Sequence, residues 1–333
     1  AGGTAIWMLS YSWDEEEKIS PAKAMENLFM SQIMSGANPY DARGHVMSGS
    51  NDYDTRAAVY KWLAAHETTF FSARKSIKPV GVYFSPKSRD YFTKDYIPAY
   101  MGTLYLLMQS HMEYQIVTPR TLADFQGSVL ILPEARIINE AELDQLLTLA
   151  TQGCNLLSTG ETGLYDGARQ RLETGSLEAL GQAVEKIGTP GADYYKMAHK
   201  EFNNSAHTGE WSGNPCLEQL AAFQRGILKS GLYKPEVLLR ADPGIVTHIA
   251  EVDGQPHVFI ANYTGLIANE NIEQIPQENI EVLFISGTGD DQIKYLPYLG
   301  EETVIESIFN KFGLSASLPT ISQAGVVWLE KKI

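Results

Sequence analysis

Carboxyl side chains follow two short apolar segments near the start of the chain, a placement suited to acid and base chemistry. Asp14 comes soon after the apolar segment 1–10, and Asp41 comes directly after Asn-Pro-Tyr at 38–40. A pair of carboxyl groups can act as acid and as nucleophile or base, as in the cleavage of a glycosidic bond. We therefore take Asp14 and Asp41 as candidate catalytic residues. The alternatives are a solvated acidic loop before a helix for Asp14 and a turn-forming role for Asp41.

Aromatic side chains accompany these carboxyls. Tyr11, Trp13 and Tyr40 could stack on a sugar ring, because an aromatic side chain combines a large apolar face with a polar tip. His45, in a glycine- and serine-rich loop, could bind a substrate hydroxyl. Core packing is the alternative for the aromatic residues, and His66 falls on an apolar helix face, where we expect a core histidine.

The elements that must position these residues alternate between strands and helices. Residues 1–10 favour a buried strand, and a helix follows with Ser20 as its cap and Pro21 at its first position. A short strand or loop comes next, and Asp54 can cap a second helix. This order is typical of a (β/α)8 barrel, in which catalytic residues follow the carboxyl ends of the strands. It accounts for about two of the eight units.

The stretch from Lys78 to Gly163 predicts an open, parallel α/β sheet of the flavodoxin-like kind. Short apolar segments alternate with helical ones, and Val129–Leu132 is apolar throughout, as in strands buried on both faces. Asn139 and Glu142 predict a capping box at the start of one helix, and Gly153 can end it. A further helix is expected near Leu177 to Glu185, and the polar segment 198–215 is the best linker candidate.

The last hundred residues change to a β pattern. Short strands separated by turns predict a small antiparallel β-sandwich, and Asp253-Gly254 between two alternating segments predicts a tight hairpin. The sequence therefore predicts three domains: a barrel end at 1–75, a flavodoxin-like domain with its linker at 76–232, and a β-sandwich at 233–333.

Composition limits the partners of the chain. Its formal net charge is -14, which argues against nucleic acid or an anionic membrane as partner and leaves a neutral ligand such as a sugar compatible. Two cysteines, Cys154 and Cys216, form neither a disulfide framework nor a zinc motif, and they leave the compartment open. We expect no metal and no cofactor. The sequence starts at Ala1 without an initiator methionine, so we expect residue 1 not to be the natural start.

Two other chemistries suit a flavodoxin-like sheet, and the sequence argues against both. A glutamine amidotransferase needs a cysteine on the turn after the third strand, where this chain has Leu132-Pro133-Glu134-Ala135. Phosphate binding could use the loops 85–90 and 158–163, but neither loop is a glycine-rich nucleotide motif, and Glu134 and Glu161 would repel a phosphate.

Four stretches together carry a family resemblance. They are MSQIMSGANPYDARGHVM, KPVGVYFSPKSRDYF, the segment from YQIVTP to STGETG, and VTHIAEVDGQPHVFIANYTG. The chain resembles the C-terminal portion of family 42 β-galactosidases: the end of the barrel, the trimerisation domain and the C-terminal β domain. The resemblance implies a homotrimer built by the α/β domain and a barrel that hydrolyses a glycosidic bond with two glutamates.

The sequence departs from this family at the catalytic positions. Nothing in it corresponds to the strand that carries the acid/base glutamate, and the segment expected to carry the nucleophile ends in Leu9-Ser10-Tyr11-Ser12. We therefore expect this chain alone to lack a complete catalytic pair. The alternative is a non-catalytic carbohydrate-binding or scaffolding protein.

Overall fold

The computed structural model describes residues 7–9, 22–40, 53–188, 190–202, 217–229, 233–266 and 271–332. The chain divides into two compact units. The central unit is Lys78–Pro235, and the discontinuous unit combines Ala1–Ile77 with Glu236–Ile333. The division into three domains at 1–75, 76–232 and 233–333 stays a prediction.

The first part of the discontinuous unit follows the predicted order of strand, helix, short strand and helix. Its elements are β1 (Trp7–Leu9), α1 (Ala22–Met34), β2 (Asn38–Tyr40), α2 (Tyr53–Ala65), α3 (Glu67–Phe71) and β3 (Arg74–Ser76). β1 and β2 are parallel neighbours, with Leu9 opposite Tyr40. Helix α2 begins at Tyr53, so Asp54 lies in its first turn rather than at the cap. The predicted cap residues Ser20 and Pro21 lie outside the described residues.

The central unit contains a five-stranded parallel sheet. Its strands are β4 (Val80–Tyr83), β5 (Tyr114–Val117), β6 (Val129–Leu132), β7 (Asn155–Ser158) and β8 (Val184–Lys186). They lie in the order β5-β4-β6-β7-β8 and every neighbouring pair is parallel. This is the 2-1-3-4-5 order of flavodoxin-like sheets. All residues of β4 and β6 are buried, as expected for strands covered on both faces. The predicted open parallel sheet is confirmed.

The helices of the central unit agree with the sequence at some ends and not at others. They are α4 (Pro86–Tyr91), α5 (Thr93–Gln109), α6 (Glu140–Thr151), α7 (Pro190–Phe202) and α8 (Leu217–Lys229), with a 3-10 segment at Ser176–Ala183. Both capping-box hydrogen bonds of α6 are present, and Gly153 follows the helix with φ 91°. The predicted helix at 177–185 is a 3-10 helix that covers Ser176–Ala183 and is interrupted by a kink at Gly181; its predicted last residues belong to β8.

Helix α7 occupies residues that the sequence did not predict to be helical. Residues 198–202, predicted as linker, belong to it, while 203–216 lie outside the described residues. The physical reason is a close crossing of α5 and α7. A methyl group at Gly102 would overlap the carbonyl oxygen of Gly191. Two glycines in contact allow the backbones of α5 and α7 to approach closely. The local sequence pattern does not predict such a pair.

The remaining strands form two antiparallel sheets, and they confirm the predicted β-sandwich. The strands are β9 (Val237–Arg240), β10 (Ile245–Val252), β11 (Gln255–Asn262), β12 (Glu281–Phe284), β13 (Gln292–Pro297), β14 (Thr303–Ile305), β15 (Ile308–Asn310), β16 (Gly313–Ser317) and β17 (Ala324–Glu330). The orders are β14-β13-β17-β11-β10-β3 and β15-β16-β12-β9. The predicted hairpin is confirmed: Asp253 and Gly254 have φ 49° and 79°, between Val252 and its partner Gln255.

The six-stranded sheet is covered on both faces. Val258, Ile260 and Val327 pack in the core shared with the four-stranded sheet. Phe259 and Val326 point the other way, into a core with α1, α2 and α3. The alternation of side chains along a strand makes both cores possible. Strand β3, predicted as part of the barrel end, forms an edge of this sheet, because it pairs with β10.

Candidate functional site

The structure brings together the two strand ends from which the candidate sugar-binding residues follow. Tyr40 is the last residue of β2 and lies opposite Leu9, the last residue of β1. Tyr11, Trp13 and Asp14 follow β1 in the sequence, and Asp41 and His45 follow β2. These five residues lie outside the described residues, as does the side chain of Tyr40. The positions of the two strand ends, here called the β1–β2 edge, are therefore what the structure contributes to this site.

Arg74 binds the carboxyl ends of α1, the helix that leads into β2, and of α3, a role that the sequence did not reveal. Its guanidinium donates to the carbonyl oxygens of Ile33 and Phe70, each at 3.3 Å, in the last turns of α1 and α3. Helix carboxyl ends carry partial negative charge and unpaired carbonyls, so they suit a cation. Its guanidinium carbon also lies 3.8 Å from the ring centre of Phe259. Burial lowers the pKa of Arg74 to about 10.

Helix α1, which leads into β2, is also fixed by tyrosine hydroxyls from the sandwich. Tyr263 Oη donates to Ser31 Oγ at 2.7 Å, and Tyr298 Oη donates to the carbonyl of Glu26 at 3.3 Å. Burial raises the pKa of both tyrosines, so both stay protonated as donors at neutral pH. The position of β2 is thus set by residues far away in the sequence.

The parallel sheet has a second edge of interest, at the carboxyl ends of its strands. In open α/β sheets a ligand commonly binds where the strand order reverses, here between the loops after β4 and β6. Ser85 Oγ accepts from the Ser88 amide at 3.3 Å, and Ser88 Oγ accepts from the Ile137 amide at 3.2 Å. The first bond caps helix α4, and the second joins this helix to the loop after β6. The segment 85–90, weighed above as a phosphate-binding loop, is therefore the cap and most of helix α4, and it is bonded within the protein.

A set of charged residues lies at the same carboxyl edge, in the segments that follow β4, β6 and β7. We call it the Arg136 cluster: Asp95, Glu134, Arg136, Glu161 and Arg171. Arg136 donates to Glu134 at 2.9 Å and forms ion pairs with Asp95 at 3.1 Å and Glu161 at 3.2 Å. Arg171 pairs with Glu161 in turn, and this hydrogen bond is the main cause that lowers the pKa of Glu161.

Cysteine chemistry finds no support at this edge. The turn after β6 carries Glu134 with φ 50°, a backbone conformation that a nucleophile elbow also uses, but with a carboxylate instead of a thiol. Cys154 is buried, and burial raises the pKa of its thiol to about 11. A thiol in that state is a poor nucleophile. Cys216 lies outside the described residues.

Two features are absent from the described part of the chain. No group of three or more acidic, histidine or cysteine side chains there could hold a metal ion. None of the helices in the described ranges is long and apolar enough to cross a membrane.

Comparison with known proteins gives matches to solved structures. An α-L-fucosidase isoenzyme 2 from Paenibacillus thiaminolyticus matches with a TM-score of 0.67 at 12% identity, over 99% of this chain and 60% of its own. Gan42B, a GH42 β-galactosidase from G. stearothermophilus, matches with 0.60 at 13%, over 98% and 54%. A β-galactosidase from Bacillus circulans sp. alkalophilus matches with 0.59 at 13%, over 98% and 55%. No protein-family profile and no curated protein sequence matches the chain.

These matches concern the fold, because the sequence identities are 12–13%. Nearly the whole chain is covered, while it spans only 54–60% of the length of these enzymes. That coverage fits the resemblance, stated above, between this chain and the C-terminal portion of family 42 β-galactosidases. The chain therefore has the fold of family 42 β-galactosidases and similar glycoside hydrolases, over somewhat more than half of their length.

Proposed function

We propose that this chain is the C-terminal part of a glycoside hydrolase-like protein that acts on or binds carbohydrate. The observation that carries the proposal is the parallel pairing of β1 and β2, with Leu9 opposite Tyr40. The carboxyl ends of parallel strands meet at one edge of a sheet, so the sequences that follow both strands start from the same edge. Those sequences hold the candidate residues.

The proposed roles follow from side-chain chemistry. Tyr11, Trp13 and Tyr40 would stack on a sugar ring, and Asp14 or Asp41 would supply one carboxyl group. His45 would bind a hydroxyl group. The structural neighbours, two β-galactosidases and a fucosidase by name, support a neutral sugar as the ligand class.

Hydrolysis needs a second carboxyl group on the other side of the scissile bond. The sequence that follows β1 begins with Ser10, Tyr11 and Ser12, so the nucleophile that the family resemblance implies is replaced there. We therefore expect this chain alone to bind sugars without turning them over. The same replacement favours the alternative function, a non-catalytic carbohydrate-binding or scaffolding protein.

We also propose an assembly role for the central unit. The family resemblance implies that this α/β fold forms a homotrimer. Multi-angle light scattering of the chain at high micromolar concentration tests this role: a trimer supports it, and a strict monomer contradicts it.

The sugar proposal is tested by titrating galactose, fucose and lactose into the chain while following its tryptophan fluorescence. We expect saturable binding that Trp13→Ala weakens about five- to thirtyfold, because loss of a stacking aromatic costs roughly 1–2 kcal/mol. Tyr91→Ala, which removes an aromatic residue with 50% exposure in the central unit, is the control and should leave binding unchanged. Equal binding by Trp13→Ala and the unmodified chain would contradict the site. Turnover of aryl glycosides by this chain would contradict the incomplete catalytic pair.

A further inference from the structure

The carboxylate of Glu134 is placed as a bound anion would be. Glu134 follows β6, its side chain is 7% exposed, and its backbone has φ 50°. Both carboxylate oxygens lie 3.3 Å from the backbone nitrogen of Glu161, and one accepts from Arg136 Nε at 2.9 Å. A backbone amide and a guanidinium therefore converge on this one group.

The loop after β7 is shaped around that carboxylate. A methyl group at Gly160, which has φ 54°, would overlap the Glu134 carboxylate, so the close approach needs a glycine. Two side chains fix the loop to the turn after β6: Thr159 Oγ1 accepts from the Glu134 amide at 3.0 Å, and Thr162 Oγ1 accepts from the Ala135 amide at 3.1 Å. Backbone amides beside a residue of positive φ form the concave sites that proteins use for anions.

Arg136 is held by partners other than Glu134. It pairs with Asp95 and Glu161, and its guanidinium carbon lies 5.0 Å from the ring centre of Phe92 and 5.6 Å from that of Tyr165. Removal of the Glu134 side chain would therefore leave the guanidinium in place and facing the vacated space. The position is also at the carboxyl edge of the parallel sheet, where α/β proteins commonly bind ligands.

We propose that the loops after β6 and β7 form a carboxylate-binding site that the protein fills with its own Glu134. The ligand class is a short monocarboxylate, because the atoms beyond the Cα atom of glutamate correspond to propionate. While Glu134 occupies the site, external anions are excluded from this edge. The inference goes beyond the proposed function, since it concerns the central unit and involves neither sugar nor the β1–β2 edge.

The test is chemical replacement of the missing group. Glu134→Gly removes the side chain at a backbone conformation that glycine adopts readily. Its thermal unfolding is followed in sodium propionate and in sodium chloride of equal ionic strength. We expect a saturable rise in Tm of about 2–4 °C that is specific to propionate. Glu134→Gln, which keeps the space filled with an amide, should show no such rise.

Asp253→Gly is the matched control. It also removes a carboxylate from a turn residue of positive φ, here 49°, but this residue is exposed in a hairpin of the discontinuous unit. Its Tm should respond equally to both salts. A Glu134→Gly protein that responds no more than Asp253→Gly would overturn the proposal. If Glu134→Gly is recovered unfolded, it is refolded in each salt: recovery in propionate alone supports the site, and equal failure in both salts overturns it.

Discussion

The β1–β2 edge and the carboxyl edge of the parallel sheet both lie at the ends of parallel strands, but different residues follow those ends. After β1 and β2 come the aromatic and acidic side chains that we assign to sugar binding. After β6 and β7 come Glu134 and Glu161, which bind Arg136 and Arg171 within the protein. The same strand geometry thus precedes a candidate ligand site in one unit and a self-contained ionic cluster in the other.

The position of a loop at the edge of a sheet therefore does not decide whether the loop binds a ligand. The central unit has the flavodoxin-like strand order. Nevertheless, helix α4, which follows β4, is hydrogen-bonded to the loop that follows β6. The function of a shared fold is set by the side chains at the site. Changing one unit at a time shows whether a change near one edge leaves the other edge unaffected.

The largest effect is expected from Gly102→Ala in the central unit. The new methyl group would overlap the carbonyl oxygen of Gly191, so α5 and α7 must separate, at a cost of about 3 kcal/mol or more. Urea unfolding measures this change. Gly226→Ala in α8 is the control, because nothing lies within 4 Å of its new methyl group. It should leave stability equal or raise it by up to about 1 kcal/mol. Similar losses in both variants would show that the close crossing is not the cause.

An intermediate effect is expected from pH in the discontinuous unit. Burial lowers the pKa of His257 from 6.5 to about 4, while its ring stacks on Trp328 with a centre separation of 5.3 Å. The unfolded chain then binds more protons between these values, so stability falls as the pH drops from 6.5 towards 4, by up to about 3 kcal/mol. In the central unit, Glu161 has a lowered pKa, so its contribution is lost only below 4.5.

His257→Phe keeps a flat ring and removes the titrating group. Chemical unfolding at pH 7, 6, 5 and 4 should therefore show a shallower loss of stability for this variant than for the unmodified chain. Parallel losses in the two proteins would assign the pH dependence to other groups.

The smallest effect is expected from Arg74→Met, at the carboxyl end of α1, the helix that leads into β2. Methionine keeps the apolar stem but loses the hydrogen bonds to the carbonyls of Ile33 and Phe70, which should cost about 1–2 kcal/mol in urea unfolding. Arg240→Met is the control, because its side chain is 84% exposed and pairs with Glu281 at 3.5 Å. That change should stay within about 0.5 kcal/mol. Equal stability of the two variants would show that Arg74 does not stabilise the ends of α1 and α3.

Features that depend on neighbours in the sequence could be predicted, and features that depend on long-range pairing could not. The capping box of Asn139 and Glu142 and the Asp253-Gly254 turn involve neighbours in sequence, and both were predicted. Strand β8 was missed because Val184–Lys186 has only three residues and gains its order from pairing with β7. Strand β3 was not predicted as a strand for the same reason, since its partner β10 lies far along the chain.

The candidate site shows the same limit. Residue types gave Asp14, Asp41 and the aromatic residues as candidates, and these stay predictions. The role of Arg74 could not be predicted. A single arginine in a short segment does not indicate that it will bind the ends of two helices or contact Phe259. Glu134 was noted as an obstacle to phosphate, but its approach to Gly160 depends on the pairing of β6 with β7.

The six-stranded sheet that is covered on both faces has a practical consequence for anyone who divides this chain for expression. A fragment that starts at Glu236 would uncover Phe259, Leu296 and Val326, which are buried against α1, α2 and α3 in the intact unit. A contiguous apolar surface of that kind promotes aggregation. The sandwich should therefore be produced together with the helices of residues 22–71 and the edge strand β3.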